Sequence, residues 1–316
     1  MFHKYEYVLA VYEEKSFTKA AAKLFISQPT LSVAIKNIET RLGAPLFERT
    51  GSQIVPTEVG REYLAAAEKI EQIERQFSHK LSDIYGLETG MLTVGGSNYL
   101  SCYVLPKIMT RFSVKYPKIA VTPIEGNSLT LAKMIESEEL DIVIDSFEET
   151  KDQYECTPLL SECVLLCVPA EAAVNKGLEQ FCILPKDIQS GNVNLDEMPS
   201  LSIRRFANEK FILLKSGNNM HHRAKRAFEM ANITPTVPFF VDQLNISYAL
   251  SESGIGVCFV TDTYIHYARP RENVRLYKIS EESDRRTLYV AYKKNRYCSS
   301  AMREFISMAK EMIENE

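Results

Sequence analysis

The side chains best suited to chemistry sit close together near the start of the chain. Gln28, Thr30, Ser32 and Lys36 occupy the polar positions of a stretch whose other positions, Leu31, Ile35, Ile38 and Leu42, repeat at helical spacing. A glutamine amide can bond adenine through two atoms. Serine and threonine hydroxyls can serve any base, and a lysine can reach guanine or a phosphate. The pattern therefore fits a helix that reads nucleobases, and equally the solvated face of any small helical hairpin; spacing alone does not separate them. Nothing comparable points to catalysis. There is no Gly-x-Ser-x-Gly elbow and no phosphate loop, and Gly254-Ile255-Gly256 lacks the third glycine of a dinucleotide fingerprint. His221 and His222 are adjacent and His3, His79 and His266 are isolated, so no metal-binding spacing exists and neither metal nor cofactor is expected.

The elements that position these residues follow from local signals. Tyr5, Val8, Leu9 and Tyr12 form the apolar face of a first helix. Thr18 is the expected N-cap of a second, Lys19–Leu24, and Phe25-Ile26-Ser27 makes a tight turn. Ser27 caps the third helix, Pro29 fits its first turn, where a missing N–H costs little, and Gly43 stops it. Two short helices joined by a tight turn make a helix-turn-helix, whose second helix enters the major groove. A two-stranded wing is expected around Thr50–Gln53, with Arg49, Ser52 and Gln53 near its tip. Thr57 then caps a long helix from Glu58 to Tyr85. On it Tyr63, Ile70, Phe77 and Ile84 recur every seven residues, with Leu81 partly filling a second seam. This coiled-coil-like stripe is expected to pair with a second copy.

Composition bounds the rest. The chain has 316 residues, enough for about two domains at roughly 150 residues each. With 45% hydrophobic and 25% charged residues it is globular in character, and no apolar run approaches the roughly 18 residues of a membrane span. The formal charge of −4 excludes a uniformly basic nucleic-acid coat, though not a local reading patch. The first 86 residues carry 11 basic and 11 acidic side chains, so the excess acid lies beyond them. There, past Gly86–Gly90, short β-branched runs alternate with helical ones. Seven scattered cysteines, no Cys-x-x-Cys pair and no signal-like N-terminus fit a reducing cytoplasm.

Taken in order, Ser16-Phe17-Thr18-Lys19-Ala20-Ala21, Leu24, Ser27-Gln28-Pro29-Thr30-Leu31-Ser32, Ile35, Ile38, Glu39, Leu42-Gly43, Leu46-Phe47-Glu48-Arg49 and Thr57-Glu58-Val59-Gly60 resemble the LysR-type transcriptional regulators. The resemblance continues through Leu105-Pro106, Tyr116-Pro117, Glu125-Gly126-Asn127-Ser128, Glu139-Leu140-Asp141-Ile142-Val143-Ile144 and Gly254-Ile255-Gly256-Val257. It implies an α plus α/β architecture. A winged helix-turn-helix would occupy residues 1–58 and a dimerising linker helix 59–88. A two-lobed α/β effector domain, similar to periplasmic binding proteins, would fill 89–316, with lobe 1 at about 89–162 and 268–316 and lobe 2 at about 163–267. It also implies homodimers, tetramers, a pseudo-palindromic promoter site on double-stranded DNA, and RNA polymerase as a further partner. The chain departs from the family in carrying Val33 and Asn37 where basic residues are common, and in a longer segment at Lys186–Pro199 that reads as an insertion.

Within the second half, Met91–Gly95 reads as a strand. Ser97, Asn98 and Tyr99 open a helix with a kink at Pro106. Strands at Ile119–Ile124 and Asp141–Asp145 flank a helix, which makes a βαβ unit, and ligands gather beyond such strand ends. By resemblance lobe 2 begins near Cys163, and the lobes are crossed at Leu160–Cys163 and Ile265–Pro270. The expected pocket lining is Ser97, Asn98, Tyr99, Asn127, Ser128, Phe147, Ser216 and Thr261. Helix N-termini there favour a small anionic effector. Two other functions compete. Cys102 near a helix N-terminus and the pair Cys163 and Cys167 allow a thiol-based redox sensor. An enzyme with a DNA-binding appendage would turn over its bound metabolite, though the missing catalytic constellation suits a sensor better.

Overall fold

The computed structural model describes residues 2–50, 53–87, 89–146, 151–269, 272–281 and 285–314. The chain divides into two compact units, Met1–Ser78 and His79–Glu316.

In the first unit, α1 (Tyr5–Glu14), α2 (Phe17–Lys23) and α3 (Gln28–Leu42) precede a hairpin of β1 (Phe47–Thr50) and β2 (Gln53–Pro56). The long helix α4 (Glu58–Ile84) follows. Val8, Val11, Ala20, Ala21, Leu31, Ile35 and Ile38 form the core, closed by Leu46 and by Tyr63, Leu64 and Ala67 of α4. Fully burying each large apolar side chain contributes roughly 1.5–3 kcal/mol. Ser16, not Thr18, caps α2: its hydroxyl accepts the Lys19 N–H at 3.3 Å, which starts the helix two residues early and leaves Thr18 exposed in its first turn. Gly43 ends α3 in the left-handed conformation (φ 73°). Thr57 caps α4 through the Gly60 N–H at 2.9 Å, and a Cβ on Gly60 would lie 2.0 Å from the Leu46 carbonyl oxygen, so α4 can pack this closely only with glycine there. Core packing also explains why the first compact unit takes in most of α4. Tyr63, expected in the dimer stripe, is buried and stacks on Phe2 with ring centroids 4.9 Å apart.

The second unit contains β3 (Gly90–Gly96), α5 (Leu105–Lys115), β4 (Ile119–Glu125), α6 (Ser128–Glu136), β5 (Ile142–Asp145) and β6 (Tyr154–Pro169). After these come α7 (Pro185–Gln189), β7 (Ser200–Leu201), β8 (Lys210–Leu214), α8 (Asn219–Ala231), β9 (Thr236–Val241) and α9 (Leu244–Glu252). Last are β10 (Val257–Thr261), α10 (Asp262–Tyr267), β11 (Val274–Ile279), β12 (Arg285–Lys293) and α11 (Ser300–Glu314). Strand order is β4-β3-β5-β12-β6-β10-β8-β9, with β11 also on β6 and β7 on β11. The kink expected at Pro106 is a π-helical turn, Leu100–Val104, closed by the Leu105 N–H on the Leu100 carbonyl. The wider turn absorbs the hydrogen bond that proline cannot make.

β6 joins the lobes. Its first half pairs with β12 in lobe 1 and its second half with β10 and β11 in lobe 2. The expected crossing at Leu160–Cys163 is therefore the middle of one strand 16 residues long, with a register shift opposite Leu288/Tyr289. The second crossing also moves. β11 lies on the lobe 2 half of β6, Val274 opposite Pro169, so the chain leaves lobe 2 after Ile279 and not at Ile265–Pro270. The Lys186–Pro199 segment packs rather than hanging free. Gln189 donates to the Ile265 and Ala268 carbonyls at 3.0 and 2.7 Å, and the Lys278 ammonium donates to the Leu195 carbonyl at 2.8 Å.

Candidate functional site

In the first unit, α3 turns its apolar stripe inward and its polar face outward. Gln28, Pro29, Thr30 and Lys36 are exposed and Ser32 is half-buried. Ser27 holds the helix start, accepting the Thr30 N–H at 3.2 Å and pairing with the Thr30 hydroxyl at 2.7 Å. The Gln28 amide donates to the Ser32 hydroxyl at 2.8 Å, so these two candidate readers are held side by side. Arg49 is exposed on the wing opposite Ile54. Ser52 lies outside the described residues. On α4, Phe77 and Ile84 are 60% and 75% exposed and Ile73 is 65% exposed, whereas Ile70 and Leu81 are half-buried.

In the second unit the C-terminal ends of β3, β4 and β5 meet those of β8 and β9 across a cleft between the lobes. Ser97, Asn98, Tyr99, Asn127 and Ser128 line it, as the sequence suggests. Asn127 doubles as the cap of α6, its side-chain amide oxygen accepting the Thr130 N–H at 2.9 Å. Two expected residues lie elsewhere. Thr261 is fully buried and caps α10 through the Tyr264 N–H at 3.2 Å; Ser216 is exposed and outside the wall. Phe147 lies outside the described residues. The sequence reading missed Glu125, Asp145, Asn219, Gln243 and Arg286. Glu125 and Asn219 had a usable signal, since each stands at a strand end or helix start already singled out.

The cleft leaves about 50 Å³ of internal space. The walls bond to each other. The Asn219 amide of lobe 2 donates to the Asp145 carboxylate at 3.1 Å and to the Ser146 carbonyl at 2.8 Å. Gln243 donates to Glu125 at 2.9 Å, and the Leu129 N–H to the Gly217 carbonyl at 3.0 Å. At the back, Tyr99 donates to Glu162 at 2.7 Å, and Arg286 pairs with the same carboxylate while donating to the Tyr99 oxygen at 2.9 Å. Burial would lower the Arg286 pKa, but Glu162, with Tyr99 and Asp145, outweighs it and drives it up. Burial, then Glu162, pushes the Tyr99 phenol well above its ordinary range. Burial likewise raises the Asp145 carboxyl, against the hydrogen bonds of Ser128 and Ser146, the charge of Arg286 and the hydrogen bond of Asn219. Of the cysteines, Cys163 and Cys167 are buried and Cys102 is exposed. Burial pushes the Cys167 thiol up, away from the reactive thiolate.

A helix-turn-helix whose α3 turns its polar face outward, followed by a two-lobed domain with a polar cleft, is the architecture of a DNA-binding regulator with an effector-binding domain. The chain belongs to the LysR family of transcriptional regulators: residues 86–314 match the LysR substrate binding domain, and residues 2–61 match the bacterial regulatory helix-turn-helix protein, lysR family. It is thus a regulator and not an enzyme. It is 28% identical over 311 residues to the uncharacterized HTH-type transcriptional regulator YcgK of Bacillus subtilis (strain 168), covering 98% of this chain and 93% of that one. The fold is shared with full-length CbnR complexed with its target DNA (TM-score 0.63, 18% identity, 98% of this chain and 99% of that one). It is shared too with the effector binding domain of QuiR in complex with shikimate (TM-score 0.56, 18% identity, 72% and 99%). Among the described residues no helix is long and apolar enough to cross a membrane.

Proposed function

We propose that two copies pair along the exposed stripe of α4, place two α3 helices on a pseudo-palindromic promoter site, and assemble further into tetramers that bend the DNA. A small molecule seated between the lobes of the second unit changes that assembly, and with it the recruitment of RNA polymerase. The observation that carries this reading is the set of bonds across the cleft. Asn219 and Gln243 of one lobe engage Asp145 and Glu125 of the other, so a ligand in the cleft competes for the groups that hold the lobes together. Such a ligand acts only through unequal affinity for the two arrangements. The anionic effector expected from the helix N-termini at Ser128 and Asn219 faces an obstacle, because the Asp145 carboxylate already lies against both.

The test is a footprint of the purified full-length protein on DNA upstream of its own gene, at low salt, with and without candidate metabolites. Two protected half-sites a whole number of helical turns apart are expected. Asn219→Ala should shift the protected length without ligand. Absence of any protection refutes the DNA-reading role; protection that neither metabolites nor Asn219→Ala alters refutes the role of the cleft.

A further inference from the structure

The walls of the cleft carry charge of one predominant sign. Glu125, Asp145 and Asp242 line it, against a single guanidinium, Arg286. Arg286 is already committed, since it forms an ion pair with Glu162, which is fully buried behind the wall. Asp242 has its own partner, the Lys215 ammonium at 2.8 Å. That leaves Glu125 and Asp145. Each is held only by neutral donors: Glu125 by the amides of Asn98 at 3.2 Å and Gln243 at 2.9 Å, and Asp145 by the Asn219 amide at 3.1 Å, the Ser146 N–H at 2.7 Å and Ser128. Neither forms an ion pair among the described residues.

The two carboxylates differ in what that means. Glu125 is exposed at the rim, where water solvates its charge. Asp145 is only 5% exposed, and a carboxylate so enclosed is costly unless a cation or a proton neutralises it. We infer that the ligand of this cleft carries a cationic nitrogen, an ammonium or guanidinium group, seated against Asp145 with Glu125 at the rim. The inference rests on the proposed effector role of the cleft and adds the chemical class. A carboxylate or phosphate ligand would meet two carboxylates without an ion pair, while Arg286, the guanidinium on the wall, feels Asp145 but is bonded to Glu162 and Tyr99. The internal space of about 50 Å³ is enough for a small head group. The amides now on Asp145 and Glu125 can turn to accept from the same nitrogen, since each carries an acceptor oxygen beside its donor.

Calorimetric titration of the full-length protein separates the possibilities, using methylammonium, putrescine and agmatine as cationic probes, acetate and succinate as anionic ones, and glycerol as a neutral one. Saturable binding of at least one amine is expected. It should weaken by about tenfold or more in Asp145→Asn, which keeps the shape and the Ser146 contact, and by less in Glu125→Gln, whose rim position tolerates exchange. Circular dichroism of both variants checks that they fold. Saturable binding of an anion or of glycerol that Ser128→Trp abolishes, with no amine bound, overturns the cationic class and leaves the effector role of the cleft standing. Binding that Ser128→Trp leaves intact removes the cleft as the site, and the class with it. No binding of any amine also overturns the class.

Discussion

Two aspartates stand four residues apart at opposite ends of one buried strand, and they do opposite things. Asp141, just before β5, is surrounded by donors: the His79 ring at 2.9 Å, the Thr93 N–H and hydroxyl at 2.7 and 2.9 Å, and the Arg296 guanidinium. Burial would raise its pKa, but His79 and Arg296 outweigh burial and hold it below the ordinary range. Asp145, the last residue of β5, has neutral donors only, and burial raises it. Residue type and strand are the same, so the neighbours decide the role. Asp141 fixes the last turns of α4, at His79, to lobe 1, a docking strengthened by Asp83, which accepts from Tyr297 at 2.6 Å and from the Ser300 N–H at 2.8 Å. Asp145 is left available to a ligand.

The comparison breaks most visibly on stability. Asp141→Ala takes the closest carboxylate from the buried Arg296, leaving it Glu138 at 3.7 Å and the Leu140 carbonyl, and should destabilise the second unit by about 3 kcal/mol, whereas Asp145→Asn removes a buried charge that forms no ion pair and should be neutral or stabilising. Urea denaturation of both variants at neutral pH measures this. Equal losses would mean that Asp145 is as firmly compensated as Asp141.

A third carboxyl sharpens the contrast through pH. Burial pushes Asp262 up to about 6, although its oxygen accepts the Cys163 and Thr263 N–H groups at 2.8 Å each. A raised carboxyl favours the folded state while protonated. Its contribution is complete below about pH 4 and is lost as pH rises through about 6. The loss is on the order of 2–3 kcal/mol. Asp141 has the opposite sign: its contribution is present at neutral pH and is lost only as pH falls below the ordinary aspartate range. Asp262→Asn keeps both backbone bonds, so its stability curve should flatten between pH 4 and 6 and lie above the parent's at pH 7. An unchanged slope in that window would show that Asp262 is not the titrating group.

A similar contrast runs along α4, where the seven-residue stripe divides. Tyr63 is buried in its own unit and Phe77 is exposed. Tyr63→Glu should therefore unfold the first unit, while Phe77→Glu should leave it folded and dissociate dimers by placing charge in their seam. Sedimentation with circular dichroism distinguishes the two, and an intact Phe77→Glu dimer would move the seam elsewhere.

What the sequence made legible was local. The caps at Ser27 and Thr57, the stop at Gly43 and the apolar face of α3 are each written within a few residues, and they came out as expected. The unity of β6 did not, because Ser161-Glu162 interrupts its apolar run and looks like a break. Glu162 tolerates full burial only because Arg286 and Tyr99, 124 and 63 residues away, surround it. The same distance hid the pocket. Asn219 reaches Asp145 across 74 residues, and no periodicity encodes that. Ser216 and Thr261 looked equivalent to Ser97 and Ser128, since all four lie at strand or helix ends; only the direction each end faces separates them.

The smallest effects concern α3 itself, where the first unit differs from a strongly basic reader. Its first 60 residues hold seven basic and six acidic side chains, with Val33 60% exposed on α3. Few phosphates are then neutralised, and the dependence of affinity on salt should be shallow, well short of the slope of about −10 known for lac repressor. Against that background the two kinds of contact can be told apart. Gln28→Ala should weaken binding by about 1–3 kcal/mol and relax the preference at one base pair, if its amide leaves Ser32 to bond adenine. Lys36→Ala should weaken all sequences alike and reduce the salt slope by about one. Binding measured on matched and mismatched duplexes across a salt series reads both. If Gln28→Ala instead lowered every sequence equally, its amide would be a phosphate contact, and base reading would pass to Thr30 and Ser32.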